Sequence, residues 1–166
     1  MEHRTFRVTT DVWATQGQRF INYIIDWVIQ FALLFCLTIV ATILASAMGS
    51  NGFIERIAEL NTIEEYLLGA VVALVYYSLF EMLLSRTIAK YITKTVVVMR
   101  DGSKPDSGTI MKRTLCRLIP FNALSFLGDG RGWHDTLSDT YVVQKELFEE
   151  KQRLFYSFEE IGQAES

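Results

Sequence analysis

Arg19, Asn22, Asp26 and Gln30 follow one another at intervals of three and four residues, which places their side chains along one face of an α-helix. Arg19 and Asp26 are separated by about 700° of helical rotation, nearly two turns, and by about 10 Å along the axis. From Phe20 to Met48 the only formally charged residue is Asp26. A carboxylate in so apolar a segment is costly, so it faces protein or water and finds a partner. Two chemistries fit this polar stripe. Asp26 can accept hydrogen bonds from a second helix or a returning segment while Arg19 pairs with Asp135, stapling the aqueous part of the chain to its apolar part. Removing one partner would then strand a buried charge. Alternatively, Asp26 can load and release a proton or monovalent cation, with Asn22 and Gln30 offering neutral oxygens. Tyr77 and Glu81, four residues apart, could line the same level from a second helix, although Glu81 also suits a helix-end charge reaching water. His134 and Asp135 follow Gly128, Gly130 and Gly132, a bend able to fold them back on the stripe.

Enzyme chemistry has less support. His134 and Asp135 are sequence neighbours, and no serine or cysteine has a nucleophile motif around it. Cys116 sits among basic residues, where a thiol can become reactive, yet an interfacial cysteine is more often simply packed. Cys36 and Cys116 offer neither a disulfide framework nor metal-ligand spacing, and no cofactor is implied. His3 reads as solvated, and Tyr23 and Trp27 suit a membrane-interface belt.

The elements that must position these groups are those of a membrane protein. Half of the 166 residues are hydrophobic, and charge is distributed in blocks. A first transmembrane helix is expected over about 20–48, long enough to cross a bilayer, and Gly49-Ser50-Asn51-Gly52 ends it. Phe53, Ile54, Ile57 and Leu60 then recur at the spacing of a short amphipathic surface helix. Thr62 and Glu65 resemble a capping box, so a second helix is expected over about 63–84; its body from Tyr66 to Leu84 is about 28 Å long. The first nineteen residues are mixed polar and the run that follows is too long for a signal-peptide core, so it is expected to remain as an anchor. Ala41 and Ala45, with Gly69 and Ala73 opposite, could let the two helices approach closely.

Arg4, Arg7 and Arg19 precede the first helix, and Arg86, Lys90, Lys94 and Arg100 follow the second, whereas the connection holds Arg56 among four glutamates. The positive-inside tendency then puts both termini in the cytoplasm of a bacterial inner-membrane protein. The net charge of −3 hides this pattern, because acidic residues crowd the tail. The basic residues adjoin membrane segments, which speaks for lipid rather than nucleic acid.

Beyond Leu84, Thr93 to Met99 and Thr140 to Val143 read as short strands able to pair. Between them, Ile110, Met111, Leu115, Leu118 and Ile119 form an apolar face, with Lys112, Arg113 and Arg117 opposite. This pattern suits a cytoplasmic interfacial helix whose cations face lipid. Pro120 to Leu127 is too short to cross and is expected to dip into the headgroup region. Leu147, Leu154, Phe158 and Ile161 give an acidic tail one apolar face. The expected fold is therefore a mainly α-helical membrane protein. A leading segment, 1–18, precedes a membrane domain, 19–143, made of a two-helix hairpin and an interfacial part, 85–143. An amphipathic tail, 144–166, follows.

Three stretches stand in a characteristic order: Gln18-Arg19-Phe20-Ile21-Asn22-Tyr23-Ile24-Ile25-Asp26, then Thr87-Ile88-Ala89-Lys90 with Val97 to Gly102, then Gly132-Trp133-His134-Asp135-Thr136-Leu137 running on to Val143. With Arg113 to Arg117 between them, they resemble the RDD family of small membrane proteins, named for one arginine and two aspartates. The resemblance covers about 15–143 and makes Arg19, Asp26 and Asp135 the motif residues. Ala89 stands where the family usually has glycine in its Thr-x-Gly-Lys turn, and the third apolar run of many relatives is shortened here. The resemblance implies a largely uncharacterised class, with ion transport, including sodium–proton exchange, proposed for some members and partner assembly for others.

Two functions follow as expectations. One is a structural, assembly or accessory membrane protein built on a buried Arg-Asp-Asp network. The other is an ion transporter using Asp26; two crossings do not enclose a path, so this requires an oligomer. The expected partners are the bilayer and either further copies of the chain or a membrane complex. The stripe also predicts that Asp26→Asn does more damage than Glu81→Gln.

Overall fold

The computed structural model describes residues 5–119, 122, 125 and 130–164, with the side chains of Asn51 and 161–164 set aside. His3, Gly128, the side chain of Ile161 and most of the run expected to dip into the headgroups lie outside the described residues.

Helix α1 spans Gln16–Ala47. It starts earlier than hydropathy alone predicts because Thr15 and Gln18 form a capping box: Thr15 Oγ1 accepts from Gln18 N at 3.2 Å and Gln18 Oε1 from Thr15 N at 2.9 Å. A short α2, Asn51–Ala58, leads to α3, Thr62–Leu84. The cap of α3 lies one residue before the expected Thr62–Glu65 box. Asn61 Oδ1 accepts from Ile63 N and Glu64 N, and Glu64 Oε2 closes the box on Asn61 N. Asparagine is among the strongest N-caps, and Thr62 becomes the first helical residue.

Both α1 and α3 are long and apolar enough to cross a membrane, yet only 6% and 11% of their most apolar stretches are buried. A core helix of a soluble protein would hide such residues; here Phe31, Leu37, Ile43, Val71 and Val75 point outward. The mainly helical fold with two such outward-facing apolar helices fits a membrane protein.

Ser85 ends α3 in the left-handed conformation. The chain then forms α4, Ile88–Ile92, and β1, Thr95–Met99. Helix α5, Ser107–Cys116, and the single turn α6, Trp133–Leu137, precede β2, Thr140–Gln144, and α7, Lys145–Ala164. Strands β1 and β2 pair antiparallel, from Thr95 opposite Gln144 to Met99 opposite Thr140.

The leading segment is more than a lead-in. Trp13 bridges Val143, Ala14 N donates to Val142 O at 2.9 Å, and Val8 N donates to Arg100 O at 2.9 Å. Phe6, Val8 and Val12 thereby join Val98, Tyr141, Val143 and Phe148 in a small core. Gly102 turns the chain at φ +80°, and a Cβ there would meet the Phe6 ring at 2.9 Å, so this turn accepts only glycine.

The tail packs through a face other than the expected one. Phe148 and Phe155 set their rings edge-on to Phe6 at 5.8 and 5.6 Å, whereas Leu147, Leu154 and Phe158 stay exposed. The phase of α7 is fixed by the sheet, because it follows β2 directly and Lys145 N donates to Lys94 O at 2.9 Å.

Candidate functional site: a buried ion-pair network beside an amphiphilic cavity

The stripe on α1 meets a different element at each level. Asp26, 2% exposed, accepts from Tyr76 Oη of α3 at 2.7 Å and from Thr87 Oγ1 at 2.8 Å. Thr87 caps α4, so Asp26 fastens α1 to α3 and to the turn after it. Asn22 Nδ2 donates to Thr95 Oγ1 at 3.1 Å, and Thr93 Oγ1 donates to Asn22 Oδ1 at 2.6 Å. Arg19 reaches Asp135 through Nη1 at 2.5 Å, and its Nε and Nη2 donate to the carbonyls of Ala14 and Val142. Gln30, one turn deeper, lines the cavity described below.

Glu81 does not reach water. It is fully buried and accepts from Lys90 Nζ at 3.1 Å, Arg113 Nε at 3.1 Å and Arg117 Nη2 at 2.7 Å. Arg113 continues through Nη1 to Asp135 Oδ1 and Thr140 Oγ1. A continuous chain of ion pairs thus runs Lys90–Glu81–Arg113–Asp135–Arg19, with Arg117 as a branch.

The expectation that Arg113 and Arg117 face lipid is therefore corrected; of the three cations, only Lys112 is exposed. Ile110, Arg113, Thr114 and Arg117 follow the i, i+3, i+4, i+7 spacing of one helical face, and that face turns inward because two buried carboxylates await its arginines. Met111 and Leu115 take the exposed side. The contacts also argue against the expected ranking of the two acids, since Glu81 compensates three cations while Asp26 receives two neutral hydroxyls.

Electrostatics outside the spans follow from burial and neighbours. Burial acts to raise the Asp135 carboxyl, but the Arg113 and Arg19 guanidinium groups outweigh it and hold Asp135 well below the usual carboxylate range. Burial pulls Lys90 down, with Glu81 opposing. It also acts against the charge on Arg117, which Glu81 and Tyr77 more than restore; the Arg117 guanidinium lies 3.8 Å from the Tyr77 ring centre. His134 is pushed well below its ordinary value by burial, with Asp135 only partly opposing. Its backbone N–H donates to Asn122 Oδ1 at 3.1 Å, its Nδ1 lies 3.0 Å from the same oxygen, and its Nε2 is 3.5 Å from Asp135.

Between α1 and α3 lies a cavity of about 420 Å³. Gly69 and Ala73, expected at a close helix contact, line this space instead, and a Cβ on Gly69 would meet nothing within 4 Å. Among the described residues no group of three or more His, Cys, Asp and Glu could hold a metal ion. Sequence reasoning missed Tyr76, Asn122, Thr93 and Thr95. The threonines after the second span carried the best signal, as β-branched hydroxyls at the level where a buried stripe needs partners.

The profile of the RDD family matches residues 13–139. No curated protein and no solved structure is significantly similar to the chain. The matched stretch runs from just before Arg19 to just past Asp135 and so contains the whole ion-pair network; the chain belongs to the RDD family.

Proposed function

We propose that this chain is a membrane-anchored scaffold of the assembly or accessory type, in which the Arg19–Asp26–Asp135 clasp locks a two-helix hairpin onto an aqueous platform made of the sheet, α5 and α7. One observation carries the reading: the Asp26 carboxylate accepts two fixed hydroxyls that belong to two other elements. A carboxylate that cycles a proton or sodium ion must exchange partners, whereas one tied to Tyr76 and Thr87 holds helices together. Glu81 and Asp135 support the same view, each being shared between arginines.

The distribution of lysine and arginine supports an orientation with both termini cytoplasmic in a bacterial inner membrane. Helix α5 then lies on the cytoplasmic side with Lys112 toward the lipid surface, and the exposed Leu147, Leu154 and Phe158 face a partner, either another copy or a subunit of a membrane complex. Ion flux in sealed vesicles is the test, comparing wild type with Asp26→Asn and Arg19→Ala after each is shown to be folded and inserted. The scaffold reading expects no flux in any of them and a stoichiometric partner on gentle purification. Wild-type flux that disappears in folded Asp26→Asn would replace the scaffold with an oligomeric carrier.

A further inference from the structure

The ion-pair network contains four cationic side chains, Arg19, Lys90, Arg113 and Arg117, and two carboxylates, Glu81 and Asp135, while Asp26 beside it accepts only from hydroxyls. Cations therefore outnumber the carboxylates they pair with. The surplus has an address. Among the described residues, Arg113 Nη2 and Arg117 Nη1 are buried without a hydrogen-bond partner, and Arg113 is 0% exposed. Buried donors are rarely left unmet, above all on a guanidinium. Both arginines line the cavity between α1 and α3.

Away from these arginines the wall becomes apolar, with Trp27, Phe31 and Leu34 from α1 and Tyr66 and Leu74 from α3. Trp27, Phe31 and Tyr66 are each more than half exposed, so this end opens on the outward surface of the candidate spans. A pocket of this size, mostly apolar with a few convergent polar groups, has the build of a ligand site. Its ends differ in kind, one walled by the Arg113 and Arg117 guanidinium groups and the other by aromatic and aliphatic side chains facing where acyl chains would lie.

We propose that this cavity binds an anionic amphiphile, its head on Arg113 and Arg117 and its acyl chain along Trp27, Phe31 and Tyr66. Guanidinium groups suit the planar, bidentate recognition of phosphate or carboxylate oxygens. A bilayer phospholipid with a phosphodiester head and a free fatty acid share this chemistry. Asp26 keeps its bonds from Tyr76 and Thr87 and takes no part in holding the head.

Native mass spectrometry of the full chain, released from mild detergent after exposure to defined probes, tests the proposal. Phosphatidylglycerol, phosphatidylcholine, oleate and inorganic phosphate are offered separately. Retention of one phosphatidylglycerol per chain supports the site and assigns its ligand to the bilayer; retention of oleate alone supports it with a fatty acid. Gly69→Leu and Ala73→Met push side chains into the cavity without touching the network, and the space around Gly69 is open. Occupancy is expected to fall about tenfold in either folded variant, and by a similar factor in Arg117→Gln through loss of a charge-assisted hydrogen bond. Phosphatidylcholine retained as well as phosphatidylglycerol, inorganic phosphate bound with no amphiphile, no amphiphile bound at all, or retention unchanged in both folded cavity variants would overturn it. Lipid retention and partner docking involve different faces of the chain, so this proposal and the scaffold reading can fail separately.

Discussion

Replacing Glu81 with glutamine isolates the electrostatic centre of the fold with almost no change in shape. The carboxylate accepts from Lys90, Arg113 and Arg117 at 3.1, 3.1 and 2.7 Å and is fully buried. Glutamine keeps one acceptor oxygen but turns an amide nitrogen toward a donor, and it leaves cations without compensation. Breaking a buried pair by removing one partner costs about 3–5 kcal/mol, and Glu81→Gln belongs at the upper end because three partners lose their counter-charge. Asp26→Asn forfeits charge-assisted acceptance from Tyr76 and Thr87 but strands no cation, and hydrogen bonds to a charged group contribute about 1.5–3 kcal/mol. The difference of about 2 kcal/mol corresponds to a melting temperature about 4–8 °C lower for Glu81→Gln than for Asp26→Asn in a chain of this size. Thermal unfolding in detergent micelles, followed by the monodisperse fraction on size exclusion, measures both variants under one condition. If Asp26→Asn melts lower, or the two melt together, the assignment of Glu81 as the centre of the network is wrong.

Three further outcomes are expected. A double-mutant cycle of Arg19→Ala and Asp135→Ala should give a coupling energy of about 1–3 kcal/mol in thermal stability; additive effects would mean that the 2.5 Å contact contributes nothing. Phe148→Ala should lose about 3 kcal/mol by emptying the small core, while Phe158→Ala should stay within about 0.5 kcal/mol; chemical denaturation separates them, and a large loss at Phe158 would overturn the packing phase of α7. Burial depresses the His134 pKa, so below about pH 6.5 the unfolded chain binds a proton that the folded chain refuses, and stability rises with pH there. A slope of up to about 1.4 kcal/mol per pH unit between pH 6.5 and 5 should flatten in His134→Gln; an unchanged slope would place the acid sensitivity elsewhere.

Asp26 announced the site because hydropathy makes a lone charge in an apolar run conspicuous, and the helical spacing of Arg19, Asn22 and Asp26 then required partners. The two spans, the paired strands and the end of α1 in the Gly49 turn followed from equally local signals. What stayed hidden depended on which side of a polar helix turns inward. Helix α5 carries an apolar side and a basic side, and hydrophobicity alone buries the former. Burial of Arg113 and Arg117 instead depended on where Glu81 and Asp135 stand in space, which no window along α5 contains. The same holds for α7, whose buried phenylalanines were set by direct continuation from β2. The cavity was illegible for a related reason: small residues at Gly69 and Ala73 are equally compatible with closeness and with emptiness.

Arg19 and Asp135 are 116 residues apart in the chain, and this separation sets an order of events during biogenesis. When α1 and α3 have both left the ribosome, Arg19 and Glu81 still lack Asp135 and the arginines of α5. The chain emerges from its N-terminal side during synthesis, so the incomplete fold carries unpaired ionisable groups until Asp135 and β2 emerge. A nascent chain interrupted before that point cannot form the Arg19–Asp135 pair. In this way the late segment of the polypeptide certifies the early one.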